Sequence, residues 1–199
     1  MYPFESTSCI ILSAGNSDRM GEHKALLNFN KNSTFIEQIA YIYAQAGIEQ
    51  IIVVVNAELF DLLIERAVNL PHNVKLFINT NPDLGRFHTL QIGVQHLEPG
   101  NYCFFQNIDN PFTSAEVLKS LIQHRNDADV IIPAFKARSG HPVLLSSLLA
   151  EKILLEKAPD MRIDEFLKKF KVIKVEVPDS NILVNINSPE EFLKAGFRN

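Results

Sequence analysis

The sequence predicts a single α/β domain over residues 1–199, a three-layer α/β/α sandwich around a mostly parallel central sheet. Three observations carry that prediction. Short apolar runs at 9–12, 51–55 and 102–105 read as strands covered on both faces. Segments of helical periodicity lie between them, the strand–helix–strand order that parallel strands with right-handed crossovers require. The chain has 199 residues, 46% hydrophobic and 21% charged, which suits one medium soluble domain with a sizeable core. No repeat, low-complexity tract or Pro/Gly-rich linker divides it.

Taken in order, the first strand is followed by a loop and a short extended piece at 26–29. Ser33 or Thr34 can cap a helix over 35–46, with Glu37 in its first turn and Gly47 at its end. The second strand is 51–55, a helix covers 58–69, and the third strand is 74–78. The turn cluster from Asn79 to Gly85 precedes a helix over 87–96. A fourth strand at 102–105 ends in Asn107-Ile108-Asp109-Asn110-Pro111. A helix at 114–124, a strand at 128–132, the polar loop 138–142 and a short strand at 143–145 follow. The last third predicts two helices, the second near 162–170, strands at 172–177 and 182–186, and a final helix opened by Ser188-Pro189.

Net charge is −4, from 19 Lys and Arg against 23 Asp and Glu, which argues against nucleic acid and anionic membranes as partners. Cys9 and Cys103 both sit in apolar runs and read as inert core thiols. The N-terminal residues lack a basic region ahead of an apolar segment, and no run approaches a membrane span, so the expected compartment is the cytoplasm.

The candidate chemistry lies where the strands end, since open parallel sheets bind ligands beyond the carboxyl ends of their strands. After Leu12 the chain reads Ser13-Ala14-Gly15-Asn16-Ser17-Asp18-Arg19-Met20-Gly21-Glu22-His23-Lys24. Two glycines and two cations, Arg19 and Lys24, can bring backbone N–H groups and positive charge against a phosphate chain. Five residues separate Gly15 from Gly21 and Ala25 follows Lys24, so the loop is no Walker A motif. Asp109 follows a buried strand directly. A carboxylate there suits a hard divalent cation such as magnesium, the alternative being an Asp that caps the turn or the following helix. Gly93 interrupts a helical pattern, which predicts close approach of a base or a backbone.

The stretch LSAGNSDRMGEHKALL resembles the signature LAAGxSxRMGxxKxLL of MobA-like nucleotidyltransferases, a GT-A-like family. Leu12, Ala14, Gly15, Ser17, Arg19, Met20, Gly21, Lys24, Leu26 and Leu27 match it, and Ser13 replaces the usual Ala or Gly. Asp109-Asn110-Pro111 is similar to the family's Gly-Asp-x-Pro, with Ile108 in the glycine's place. Asn81-Pro82, Thr89 and Gly93 resemble the segment that borders the nucleotide, where Arg86-Phe87-His88 departs from the family's small residues. Gly140-His141-Pro142 is similar to the Gly-His-Pro of the molybdenum cofactor cytidylyltransferase branch. The segment from Asp160 to Leu167 is loosely similar to a further segment of that branch.

The resemblance, which spans nearly the whole chain, implies a Rossmann-like fold and a magnesium-dependent transfer of a nucleotidyl group. Arg19, Lys24 and Asp109 would be catalytic. Leu12, Ser13, Ala14, Gly15, Asn81, Thr89 and Gly93 would bind the nucleotide, and Gly140, His141 and Pro142 would border the acceptor. Asp109 and Asn187, the latter with Asn185 nearby, would hold the metal, although Asn187 and Ser188 also suit a helix cap. The implied partners are a nucleoside triphosphate, CTP favoured, and a small phosphorylated acceptor such as molybdopterin. A sugar-phosphate or alcohol-phosphate nucleotidyltransferase with a different acceptor is one alternative; a nucleotide-binding module without turnover, which the departures at Ile108, Arg86-Phe87-His88 and Asn187 would mark, is the other.

Overall fold

The computed structural model describes residues 4–17, 19–158 and 161–197; Asp18 and Asp160 lie outside them. Its centre is an eight-stranded sheet. The path runs β10 (Val172–Glu176), β7 (Val130–Phe135), β9 (Val143–Leu145), β6 (Tyr102–Asn107), β1 (Thr7–Ser13), β4 (Gln50–Val55), β5 (Val74–Ile78), with β8 (Arg138–Ser139) against β7. β1 pairs in parallel with β4 and β6, β4 with β5, and β10 with β7. β9 runs antiparallel between β6 and β7. A separate hairpin joins β2 (Asn28–Asn30) to β3 (Ser33–Thr34).

Alternation along each central strand splits the core into two layers. Cys9, Ile11, Ile51, Val53 and Phe104 face α1 (Phe35–Gln45), α2 (Ala57–Glu65) and α4 (Ala115–Ile122). Ile10, Leu12, Ile52, Val54 and Phe105 face α3 (Gly85–Gln95), α5 (Ser147–Leu155) and α6 (Ile163–Leu167). A third, aromatic cluster of Phe29, Phe35, Phe112, Phe192 and Phe197 ties α7 (Pro189–Lys194) and the hairpin to the sheet edge. Burial raises the thiol pKa of Cys9 and Cys103, so both stay protonated in the core. Among the described residues no helix is long and apolar enough to cross a membrane.

Local chemistry explains the element bounds. Thr34, rather than Ser33, caps α1: its amide donates to Glu37 Oε2 at 2.7 Å and its hydroxyl accepts from Glu37 N, a reciprocal capping box. α2 stops at Glu65, short of the predicted residue 69, because Ala67 turns left-handed at φ 47°. The predicted strand at 182–186 does not form. A 3₁₀ turn over Ser180–Leu183 takes its place, and the carbonyls of Ile182 and Val184 bond to side chain and loop groups instead of a neighbouring strand. Ile182 and Ile186 are buried, but Val184, which a strand would place on the same face, is only half-buried.

Gly93 corrects another expectation. A Cβ there would stand 2.5 Å from Ile10 Cγ2, so what comes close is the Ile10 side chain of β1 and not a base or a backbone. The missing methyl sets α3 down on the sheet.

Candidate active site

A cleft of about 280 Å³ opens at the carboxyl ends of β1 and β6. Its floor is Leu12, Ser13, Ala14 and Gly15, where β1 runs out into its loop. The loop is shaped by Ser17, whose backbone is left-handed at φ 58° and whose carbonyl accepts from Met20 N at 2.8 Å. Ser17 Oγ accepts from Lys24 N at 3.2 Å, which closes the loop and returns the lysine to the cleft. Arg19, Lys24 and Arg86 all line the space, giving it three cationic side chains in a chain of net negative charge.

Asp109 faces them. Lys24 Nζ lies 4.0 Å from Asp109 Oδ2 and donates to Asn187 Oδ1 at 2.7 Å. The first turn's ammonium therefore does meet the carboxylate that ends β6. Desolvation lowers the Lys24 pKa; the charges of Asp109 and Glu191 oppose that, while those of Arg19 and Arg86 add to it. Among the described residues, Asp109 Oδ1 is buried with no hydrogen-bond partner, as is Asn107 Oδ1. Among the described residues no group of three or more His, Cys, Asp or Glu could hold a metal by itself. A single carboxylate flanked by amide oxygens fits a hard cation that takes its remaining oxygens from a bound phosphate chain.

Asn187, not Asn185, is the asparagine that reaches the cleft. Its placement does not compete with capping. Ser188 Oγ accepts from Glu191 N to cap α7, while the Asn187 amide donates to Glu191 Oε2. Thr89 lines the far wall with its hydroxyl donating to the Gly85 carbonyl at 3.2 Å and accepting from Asn79 Nδ2 at 3.1 Å.

Other predicted residues stand outside the cleft lining. Asn81 is exposed on the Pro82–Leu84 turn, its side chain donating to Thr80. Gly93 lies in the core. Gly140, His141 and Pro142 lie behind the β6 wall: a Cβ on Gly140 would stand 2.4 Å from the Ile182 carbonyl oxygen, and Pro142 is buried. His141 reaches the site through Asn107, whose Nδ2 is 3.1 Å from His141 Nε2. Either neutral tautomer of the ring can make that contact with the amide oriented to suit it. Desolvation lowers the His141 pKa, which favours the neutral ring; the Asp109 charge partly opposes this.

Sequence reasoning did not single out Asn107, His23 or Asn79, and it saw Arg86 only as a departure from the family pattern. Asn107 and Asn79 each end or follow an apolar strand, which is the one signal that could have marked them. His23 carried the weaker cue of standing next to Lys24. It is buried in the cleft wall with Nε2 3.4 Å from Glu58 Oε2.

The sequence model of the MobA-like NTP transferase domain matches residues 9–172. The molybdenum cofactor cytidylyltransferase of Escherichia coli (strain K12) is 26% identical over 191 residues, covering 94% of both chains. A protein of Bacillus mycoides (strain KBAB4) named "Probable molybdenum cofactor guanylyltransferase" is 27% identical over 196 residues, again covering 94% of each. Among solved structures, a nucleotidyl transferase from Methanothermobacter thermautotroptrophicus superposes with a TM-score of 0.78 at 22% identity, covering 95% of both chains.

Proposed function

The chain belongs to the MobA-like NTP transferase domain family and is a nucleotidyltransferase, and from that premise we propose that it moves CMP from CTP onto a small phosphorylated acceptor, molybdopterin, releasing pyrophosphate. The observation that carries this reading is the convergence of Lys24, Asp109 and Asn187 in a cleft otherwise rich in positive charge. An oxygen of the acceptor's phosphate attacks the α-phosphorus. The new P–O bond forms as the bond to the bridging oxygen of the β-phosphate breaks, and that electron pair leaves with pyrophosphate. The acceptor already carries its nucleophile, so no Ser, Cys or general base of the protein is needed.

Arg19, Lys24 and Arg86 neutralise the triphosphate and the leaving group, with the backbone N–H groups around Gly15 beside them. Asp109 and Asn187 would hold magnesium, which supplies charge neutralisation at the α-phosphate when bound. Ser13-Ala14-Gly15 resembles the loop of the family's CTP-using branch more than the Ala-Gly-Gly of the GTP-using one, which supports CTP as the donor. The neutral pair of Asn107 and His141, backed by Gly140 and Pro142, borders the acceptor side. Two buried thiols suit a reducing compartment, and the cytoplasm is the proposed one.

Pyrophosphate release measured with each of the four NTPs, with and without molybdopterin or sugar phosphates, tests the reading. CTP together with molybdopterin should give turnover. Lys24→Ala should fold normally and lose on the order of 10²–10³ in rate. GTP preference would move the enzyme to the guanylyl branch, a sugar phosphate acceptor would replace molybdopterin, and nucleotide binding without turnover for any pair would end the enzymatic reading.

A further inference from the structure

Asn110, directly after the candidate metal carboxylate, is wholly buried. Its Nδ2 lies 3.3, 3.2 and 2.6 Å from the carbonyl oxygens of Asn181, Ile182 and Val184. One amide, with only two N–H groups, thus serves three carbonyls of the 3₁₀ turn that leads to Asn187. The Asn110 carbonyl is itself anchored by Gln106 Nε2 at 2.6 Å. Gln106 Oε1 accepts from Thr113 Oγ1 at 2.6 Å and from Tyr43 Oη at 3.2 Å, so the grip is rooted in the core under α1.

Two further bonds run between the same segments. Ile186 N donates to the carbonyl of Asp109 itself at 2.7 Å, which joins one candidate ligand to the chain neighbour of the other. The Ile182 carbonyl that Asn110 holds also accepts from His141 N at 3.0 Å, and Gly140 packs against it with no room for a side chain. The segment 181–187 makes no strand pairing of its own, so these contacts, together with the Lys24 and Glu191 bonds to Asn187 and the burial of Ile186 in the aromatic cluster, decide where Asn187 stands relative to Asp109.

We propose that Asn110 is a positioning residue: its side-chain amide clasps the 181–184 backbone and thereby sets Asn187 opposite Asp109 as a second oxygen ligand for the divalent cation of a bound nucleotide. The inference rests on the reading of Asp109 and Asn187 as that pair. A merely structural staple would lower stability and leave cation binding alone. A positioning role predicts more, because residues that orient metal ligands typically change metal affinity by about 10–100-fold when replaced.

The test is Mn²⁺ binding in the presence of a non-hydrolysable CTP analogue, followed by electron paramagnetic resonance, in wild type, Asn110→Ala, Asn110→Ser and Asn73→Ala. Asn73 Nδ2 donates to the Ile48 carbonyl at 2.8 Å at the opposite edge of the sheet, a half-buried bond, which makes that variant a control for the loss of a side-chain amide bond away from the site. Asn110→Ala should weaken Mn²⁺ about ten-fold or more and speed hydrogen exchange at the Ile186 and His141 amides. Asn73→Ala should bind as wild type despite its own loss of thermal stability. A folded Asn110→Ala that binds Mn²⁺ within about two-fold of wild type overturns the inference; if that variant does not fold, Asn110→Ser decides by the same criterion. Wild type that binds no Mn²⁺ with the nucleotide takes down the reading of the site and this inference with it, an outcome distinct from an unaffected variant.

Discussion

The two walls of the cleft follow opposite rules. After β1 the chain forms an open loop: Gly15 is exposed, with nothing within 4 Å of where a Cβ would sit. A few polar contacts hold it, among them Asn56 Nδ2 to Asn16 Oδ1 at 3.4 Å and the exposed Arg66–Glu22 pair at 3.0 Å. After β6 the chain turns inward. Gln106, Asn107 and Asn110 are buried, and the carbonyls of Asn107, Asp109 and Asn110 all accept hydrogen bonds. The contrast has a physical reason. On the proposed reading, a phosphate chain is gripped by long cationic side chains that adjust to it, whereas a carboxylate meant to face a metal and a reacting phosphorus has to be held in place beforehand.

Variants can break this comparison, beginning where the effect is greatest. Asp109→Asn keeps the shape of the rigid wall and removes its charge; kcat should fall on the order of 10²–10³ with an unchanged melting temperature. A melting shift instead of a rate loss would mean that the carboxylate is structural. Gly140→Ala comes next. Its methyl would meet a backbone carbonyl 2.4 Å away, and urea denaturation should register a loss of about 1–3 kcal/mol.

Gly93→Ala sharpens the contrast between core and cleft. It should destabilise by a similar or slightly smaller amount, since Ile10 has to shift, while KM for the nucleotide stays put. A raised KM would return Gly93 to the binding site. Arg66→Ala on the open wall should cost no more than about 1 kcal/mol and less at high salt, because both partners are exposed.

Much of this was legible in advance, and the reasons are local. The capping box at Thr34 and Glu37 and the apolar run 51–55 each announce an element through neighbours in the chain. The bounds of β5 at Val74–Ile78 and of β9 at Val143–Leu145 agree with the residues read from the sequence. The misplaced features depend on distant residues. The strand expected at 182–186 has the composition of one, yet its carbonyls find Asn110 and His141 nearer than any strand. Gly93 looked like room for a ligand, and only the packing of α3 against β1 assigns that room to Ile10. Asn81 sits in a motif beside the site but turns out to solvent.

By itself the sequence determined the alternation of buried strands and helices, the cationic loop after the first strand and the acid after β6. Those features need only hydrophobic periodicity and residues a few positions apart. Tertiary structure alone decided that Lys24 meets Asn187 across 163 positions of sequence, that Arg86 joins the cationic wall, and that Asn107 brings His141 to bear on the site. Such pairings arise when separate strands end at one edge of a sheet, and strand order is set by the burial of both faces together, a condition no single stretch of chain contains.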